Sequence, residues 1–363
     1  MRMSRYPIRG LSVAVVTAAL AACAGAPATS PEASVSSSVS SASPTVVRLA
    51  THNSFALSDD VVEALADQGI DLQVITGGDA VEVVNRAVLS SGNPDADVLY
   101  GVDNTTLDRA LAADVFDPYV AAADGALRPE LVALGKDTVT PIDDGEVCVN
   151  VDDAWFADQG IAPPQTLEDL VDARYRGLLV VQNPATSSPG LAFLLGTIAQ
   201  FGDGWRDYWR ALRENEVKVV NGWSEAYLAE FTAGGGDGDR PLVVSYSTSP
   251  PAEIVYAADP KPERPATSAM LEGCYHQVEF AGVLRGTPVP EAARKVVDWL
   301  VSEQVQADIP LNMFVFPARS GVALPDVFAE FAPRPERPLE LDSARVADEQ
   351  SAWVDEWTEI VLR

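Results

Sequence analysis

The chain has 363 residues, a length that suggests about two domains of ordinary size with ample apolar material for a core. Its content of 47% hydrophobic residues fits a globular protein. The formal net charge of −28 argues against a nucleic-acid surface, because phosphates would be repelled. The same charge fits a cationic ligand, or simply the solvation of an exported protein.

The first 23 residues have the features of an export signal. Three early arginines precede an apolar segment over residues 11–22 that is too short to span a bilayer as a helix. The segment ends in Leu20-Ala21-Ala22-Cys23, which resembles a bacterial lipobox, and predicts Cys23 as the lipidated N-terminus. The alternative is an ordinary secretory signal with a chance cysteine. Residues 24–45 are dominated by Ser, Ala, Pro, Gly and Thr and predict a disordered tether.

Strands and helices then alternate three times, which predicts an α/β fold with a parallel, doubly wound sheet. The predicted strands are Val46–Ala50, Leu72–Ile75 and Ala96–Tyr100. The helices that follow them are predicted to begin near Ser58, Asp79 and Thr105, with Asp79 as an N-cap.

A second α/β unit is predicted after residue 150. A helix is expected from Thr166, and the strands of this unit are Leu178–Val181, Val217–Val220 and Leu242–Ser245. The loops that follow these strands are rich in hydroxyl and aromatic side chains. Ligands of α/β sheets bind at such carboxyl ends of strands.

Trp223 lies at one of these junctions, between a short apolar strand and the start of a helix. A flat π-face beside free helix N–H groups suits a ligand that has a planar ring and an anionic end. The alternative is a tryptophan that only fills the core. A second loop of the same kind, Ser245-Tyr246-Ser247-Thr248-Ser249-Pro250, favours the ligand interpretation.

Cys148 and Cys274 form an even pair in an exported chain, which predicts a disulfide, with two separate buried thiols as the alternative. Cys148 lies in an extended stretch that leaves the first unit, and Cys274 in one predicted to run back to it. Two adjacent crossover strands would bring both thiols together. After them we expect a helix from Pro290, an irregular apolar stretch over Ile309–Pro317 and an amphipathic helix over Ser343–Arg363.

The segments from residue 46 onward resemble one family of ABC-importer solute-binding proteins, the thiamine-binding proteins. The motifs that carry the resemblance are Thr51-His52-Asn53-Ser54-Phe55, Asp97-Val98-Leu99-Tyr100-Gly101-Val102-Asp103-Asn104, Asn183 to Gly190, Gly222-Trp223-Ser224-Glu225-Ala226-Tyr227, Ser245 to Pro250, Gln277-Val278-Glu279 and the closing helix around Trp353 to Trp357.

The resemblance implies a two-lobed type II periplasmic binding protein fold, with two crossover strands at the hinge and the ligand in the interlobe cleft. One lobe would comprise residues 46–145 and 276–363, and the other residues 146–275. The implied function is the capture of thiamine, or its mono- and diphosphate, by hinge closure and its delivery to an ABC permease. The protein would be a monomer without a cofactor, anchored by lipid to the outer face of the cell membrane.

The family's ligand contacts correspond to nine residues of this chain, which are Asp79-Ala80, Ser187-Ser188, Trp223 and Tyr246-Ser247-Thr248-Ser249. The rings of Trp223 and Tyr246 would stack on the charged thiazolium of the ligand. Asp79 would pair with this thiazolium, or would serve only as the N-cap of the helix that follows it. His52 and Phe314 stand where the family has other aromatic residues, which implies a leaner aromatic cage.

Two other classes of function remain open from the sequence. A ferric-iron site could be assembled from His52, His276, Glu279 and Tyr246, although such sites use adjacent tyrosines and Tyr246 is followed by Ser247. Another organic cation, such as a polyamine, is a further alternative. An enzyme is disfavoured, because neither a G-x-S-x-G elbow nor a His-Glu-x-x-His motif occurs.

Overall fold

The computed structural model describes residues 43–363. The signal segment with Cys23 and the tether up to residue 42 lie outside the described residues, so both stay predictions. Thr45, the last residue of the predicted tether, already begins the first strand. In the described part, no helix combines the length and the apolar character that a membrane crossing requires.

One mixed sheet of ten strands runs through the described chain. Its strands are β1 (Thr45–Thr51), β2 (Ile70–Thr76), β3 (Val98–Asp103), β4 (Phe116–Asp117), β5 (Thr140–Asp152), β6 (Leu179–Gln182), β7 (Lys218–Val220), β8 (Leu242–Tyr246), β9 (Thr267–Leu284) and β10 (Phe316–Pro317). The main path is β2-β1-β3-β9-β5-β8-β6-β7, with β4 paired to β9 and β10 paired to β5.

The two ends of this sheet are parallel and its middle is antiparallel. Strand β1 pairs in parallel with β2 and β3, and β6 pairs in parallel with β7 and β8. Between these halves, β9 and β5 pair antiparallel with each other and with their outer neighbours. These are the two predicted crossover strands, and the predicted disulfide between Cys148 and Cys274 joins them.

Helices cover both halves of the sheet. They are α1 (Asp59–Ala66), α2 (Ala80–Leu89), α3 (Leu107–Ala112), α4 (Pro129–Leu134), α5 (Asp153–Gln159), α6 (Ser188–Phe201), α7 (Trp205–Glu214), α8 (Trp223–Glu225), α9 (Pro251–Tyr256), α10 (Pro290–Leu300), α11 (Glu303–Asn312), α12 (Asp326–Phe331) and α13 (Ser343–Val361). Short 3₁₀ turns cover Ala123–Gly125, Glu168–Val171, Ala173–Tyr175 and Gly202–Gly204.

Two local predictions were wrong. The helix expected from Thr166 is a 3₁₀ turn over Glu168–Val171, because the chain there is too short to form more than one turn before Asp172 becomes extended. The stretch expected to be irregular from Ile309 is helical as far as Asn312, because α11 accommodates Pro310 in its last turn. Pro310 has no N–H to donate to the carbonyl of Gln306, so this last turn of α11 lacks one backbone hydrogen bond.

The apolar side chains form two main clusters, one under each half of the sheet. The first includes Leu49 and Val98, and the second includes Leu194, Trp209 and Trp357. The rings of Trp209 and Trp357 meet edge to face at 5.4 Å, so the C-terminal helix α13 packs on α7 in the second cluster. Helix α13 therefore packs on the second half of the sheet, although the sequence assigned it to the lobe that contains the first half. The lobe boundaries themselves stay a prediction.

Candidate functional site

Asp79 is the N-cap of α2, as predicted. Its side chain and that of Glu82 form a reciprocal capping box, which the acidic residue three positions into the helix makes possible. The same carboxylate accepts hydrogen bonds from the backbone N–H groups of Ala80, Ser188 and Trp223 at 2.7, 3.3 and 2.8 Å. Burial raises the pKa of Asp79, and these N–H donors lower it in part. Asp79 therefore joins the first half of the sheet to two loops of the second.

Trp223 follows β7 and begins α8, which continues as a π-helix over Ala226–Glu230. Its indole Nε1 donates to Ser245 Oγ at 2.8 Å, and its ring stacks on Tyr227 with centroids 5.0 Å apart. The ring remains partly exposed. Single π-helical turns occur often at functional sites. The indole is thus held in a fixed orientation with part of its surface free.

The Tyr246 loop lies beside Trp223 at the end of β8. Tyr246 donates its hydroxyl to Gln277 Oε1 at 2.7 Å. The following hydroxyl residues turn the chain back: Ser249 Oγ lies 2.8 Å from Ser245 Oγ, and Thr248 donates to the carbonyl of Phe314. Ser247, also buried, donates its backbone N–H to the carbonyl of Glu146. Burial, and then the charges of nearby carboxylates, raise the pKa of Tyr246 well above its ordinary value.

Ser187 and Ser188 lie at the start of α6, and both are buried. Ser188 contacts two carboxylates of the first half at once: its N–H donates to Asp79 and its hydroxyl donates to Asp103. Asp103 also accepts from Gln277 Nε2 at 2.6 Å. Burial raises the pKa of Asp103, and its hydrogen bonds lower it in part.

His52 and Phe314 occupy different parts of this region. His52 Nδ1 lies 2.8 Å from Ser54 Oγ, and its Nε2 lies 3.5 Å from Glu279 Oε1. Burial lowers the pKa of His52, and the charge of Glu279 partly offsets this. Phe314 has a φ of 53°, and its ring lies 5.6 Å from that of Tyr256, which is largely exposed. The structure therefore places His52 among buried carboxylates and Phe314 at the rim.

Residues 93–342 match the family model described as bacterial extracellular solute-binding protein. The chain belongs to this family. The thiamine-binding periplasmic protein of Escherichia coli (strain K12) is 33% identical to this chain over 323 residues, which cover 88% of this chain and 94% of that protein. The protein of the same name from Brucella suis biovar 1 (strain 1330) is 30% identical over 291 residues, 79% of this chain and 82% of its own length.

A solved structure, of a periplasmic thiamin binding protein, superposes on this solute-binding protein with a TM-score of 0.76 at 31% identity. The match covers 88% of this chain and 97% of that one. The predicted α/β type II periplasmic binding protein fold and the predicted family are thereby confirmed. The individual contacts to a ligand stay predictions.

Three side chains of this solute-binding protein that could share one metal ion lie on the face of β5 and β9 opposite to Gln277. Asp144, Glu146 and His276 place one ligand atom each within 4.8 Å of the others. Asp144 is already paired with Arg128 and Arg334, so its charge is neutralised by the protein itself. The iron site considered from the sequence is not assembled, because the strand alternation places His276 and Glu279 on opposite faces of β9.

The predicted thiamine contacts did not include Tyr100, Gln277 or Glu279, and Glu279 was considered only for an iron site. The structure brings these three residues, together with Asp143, beside Tyr246 or His52. The motif Gln277-Val278-Glu279 carried part of the signal, since two polar residues alternate within an apolar strand. Its cross-strand partners depend on long-range register, which no local pattern reveals.

Proposed function

We propose that this protein is the extracytoplasmic binding component of an ABC importer and that it captures thiamine. The observation that carries the proposal is the meeting of Trp223 and Tyr246, on neighbouring strand-end loops, with buried carboxylates of the first half of the sheet. Thiamine has a planar aminopyrimidine and a permanently charged thiazolium, so it suits aromatic faces and nearby acids. The thiamine-binding names of the relatives support the same ligand.

Capture occurs by closure of two lobes about β5 and β9. Residues 46–145 with 276–363 are assigned to one lobe and residues 146–275 to the other, with α13 crossing over to pack on α7 of the second lobe. Asp79 and Asp103 of the first lobe accept hydrogen bonds from Ser188 and Trp223 of the second, which supports a closed form held together by direct contacts. The closed form is the one presented to the permease, and the ligand leaves unchanged.

The mature protein is a monomer held at the outer face of the cell membrane by lipid on Cys23, with the following residues as its tether. The lipobox-like motif supports this anchoring. Membrane fractionation of cells expressing the full chain tests it. Wild-type protein is expected in the membrane fraction and Cys23→Ser protein in the released fraction, and equal release of both would contradict the anchor.

Isothermal titration calorimetry of the ligand-free protein tests the function. We expect one site for thiamine, and titrations with thiamine monophosphate, thiamine diphosphate, spermidine and ferric ion rank the alternatives. Mass spectrometry of the recovered thiamine should find it intact, as expected of a carrier rather than an enzyme. Binding of ferric ion or spermidine without any heat from thiamine would refute the proposal.

A further inference from the structure

Three carboxylates lie side by side across the centre of the sheet. The register pairs Asp103 of β3 with Glu279 of β9, and Glu279 in turn with Asp143 of β5. Directly paired residues on adjacent strands project from the same face, and adjacent strands are about 4.8 Å apart. All three side chains are buried. Like charges in such positions repel each other, so ionisation of the whole row, Asp103–Glu279–Asp143, is unfavourable in the absence of a positive partner.

The row lies on the face of the sheet that contacts the Tyr246 loop. Gln277 lies two residues before Glu279 on the same strand and therefore on the same face. It accepts from the hydroxyl of Tyr246 and donates to Asp103. The charges of Glu279, Asp103 and Asp143 all contribute to the raised pKa of Tyr246. The row is thus part of the surface on which the Tyr246 loop closes.

Two members of the row lack adequate partners. The hydroxyl of Tyr100 is shared between Asp143 Oδ2 and Glu279 Oε2, the latter at 3.4 Å. Glu279 and Asp143 also share a hydrogen bond when Glu279 is protonated, but once both are ionised neither can donate, and Asp143 Oδ1 is then buried without a partner. Within residues 43–363, no lysine or arginine nitrogen lies within 4.0 Å of a carboxylate oxygen of the row. Asp103 differs, because Thr105, Thr106, Ser188 and Gln277 all donate to it.

His52 is a second buried polar side chain beside the row that lacks a hydrogen-bond partner at one atom. Its side chain is buried, with a relative exposure of 6%, and its Nε2 points toward Glu279 without a hydrogen bond. Its ring centroid lies 5.6 Å from that of Tyr100, and Phe55 packs on the other edge of Tyr100 at 5.4 Å. One carboxylate oxygen of Asp143, an imidazole nitrogen without a hydrogen bond and aromatic rings therefore meet at one place.

The spacing favours a large cation over a metal ion. Among the residues that the structure describes, the acids and histidines close enough to share one ion are Asp144, Glu146 and His276, on the opposite face. The row is more widely spaced than such a site. Its charge is spread over three strands, which suits a delocalised positive charge on a flat ring.

We propose that Asp143 and Glu279 bind the positively charged ring of the ligand, with Tyr100 between them, His52 beside them and Asp103 adding to the negative potential. This assignment rests on the proposed function and names the part of the cleft that selects for charge. Ionisation of the row costs stability in the empty protein, and a planar organic cation offsets that cost when it binds.

Glu279→Gln and Asp143→Asn test the assignment, because each removes one ionisable carboxyl and keeps the shape of the side chain. The probe is thiamine, titrated by calorimetry into the full ligand-free protein. Glu146→Gln is the matched control: it removes a buried charge from the same strand pair, on the face away from the cleft. We expect the dissociation constant to rise at least tenfold in both test variants and less than threefold in the control.

The melting temperature of the empty variants is the second readout. Because ionisation of this carboxyl is unfavourable in the folded protein, its removal should leave Glu279→Gln melting no lower than wild type. Wild-type affinity in both test variants, or a loss of thermal stability as large as that of the control, would overturn the assignment and leave the proposed function standing. Failure of the wild-type protein to bind thiamine would refute both the assignment and the proposed function.

Discussion

Both N–H groups of Trp223 are used to hold its indole in place. The backbone N–H donates to Asp79 and the ring Nε1 donates to Ser245, while Tyr227 supports one face at a nearly parallel angle of 14°. The buried core residue Trp209 also donates its Nε1, to Thr197, so it is the partial exposure of the Trp223 ring that sets Trp223 apart from a core tryptophan. The partly exposed ring is therefore prepared for stacking on a ligand, which lowers the entropy cost of binding.

Trp223→Ala should weaken thiamine binding at least tenfold, because it removes both the stacking surface and a cation–π contact of about 0.5–2 kcal/mol. The empty protein should lose only a few degrees in melting temperature, since the ring is not fully buried. Calorimetry and thermal unfolding measure the two effects. Trp155→Ala serves as the control, because that tryptophan is also partly buried but packs on Phe156 in α5. Equal affinity in Trp223→Ala would remove Trp223 from the site.

The N-cap of helix α2 does more than begin the helix. Asp79 satisfies the first turn of α2 with one oxygen and holds the Trp223 N–H with the other. Serine can cap a helix, but its single oxygen cannot accept from both places. The two roles of Asp79 can therefore be separated by substitution.

Asp79→Ala should lose about 1 kcal/mol or more of unfolding free energy together with thiamine affinity. Asp79→Ser should regain the stability of the cap and still bind thiamine about tenfold more weakly than wild type, because the contact between the lobes is lost. Chemical denaturation and calorimetry measure these effects. Asp342→Ala is the control, since Asp342 caps α13 through Arg345 N–H and should cost stability alone. If Asp79→Ser bound thiamine like wild type, Asp79 would have only its capping role.

Elements with local signals were predictable from the sequence. The cap of α2 follows from Asp79 and Glu82 three residues later, and the strand-end loops follow from apolar runs that end in polar residues. The Cys148–Cys274 disulfide followed from the expectation of two adjacent crossovers. Each of these depends on a short stretch of chain or on one topological rule.

The carboxylate row was not predictable, because it depends on register between distant strands. Strand β3 extends to Asp103, beyond the predicted end at Tyr100, and its register against β9 shifts between Tyr100 and Val102. Another shift separates Pro141 from Asp143 on β5. Bulges of this kind change which residues face each other by one position, and a one-residue change moves a side chain to the other face.

For the whole molecule, the row makes stability and binding depend on pH in opposite ways. Burial raises the pKa of Asp143 to about 7 and that of Glu279 well above its ordinary value. A carboxyl whose pKa is higher in the folded state than in the unfolded state stabilises the fold while it is protonated. For Asp143 this contribution is complete below about pH 4 and is lost as the pH rises through about 7. A cationic ligand has the opposite preference, because it favours the ionised row.

We therefore expect the affinity for thiamine to rise about tenfold between pH 6 and pH 8, with release of protons on binding. Over the same range, ionisation of Asp143 should lower the melting temperature of the empty protein. His52, whose pKa is lowered, acts against this trend in stability, and His276, whose pKa is raised, acts with it. Comparison with Asp143→Asn isolates the carboxyl, since the variant should show a flatter dependence in both measurements. Calorimetry in buffers of different ionisation enthalpy counts the released protons. A thiamine affinity independent of pH in the wild-type protein would show that the row is not ionised by the ligand.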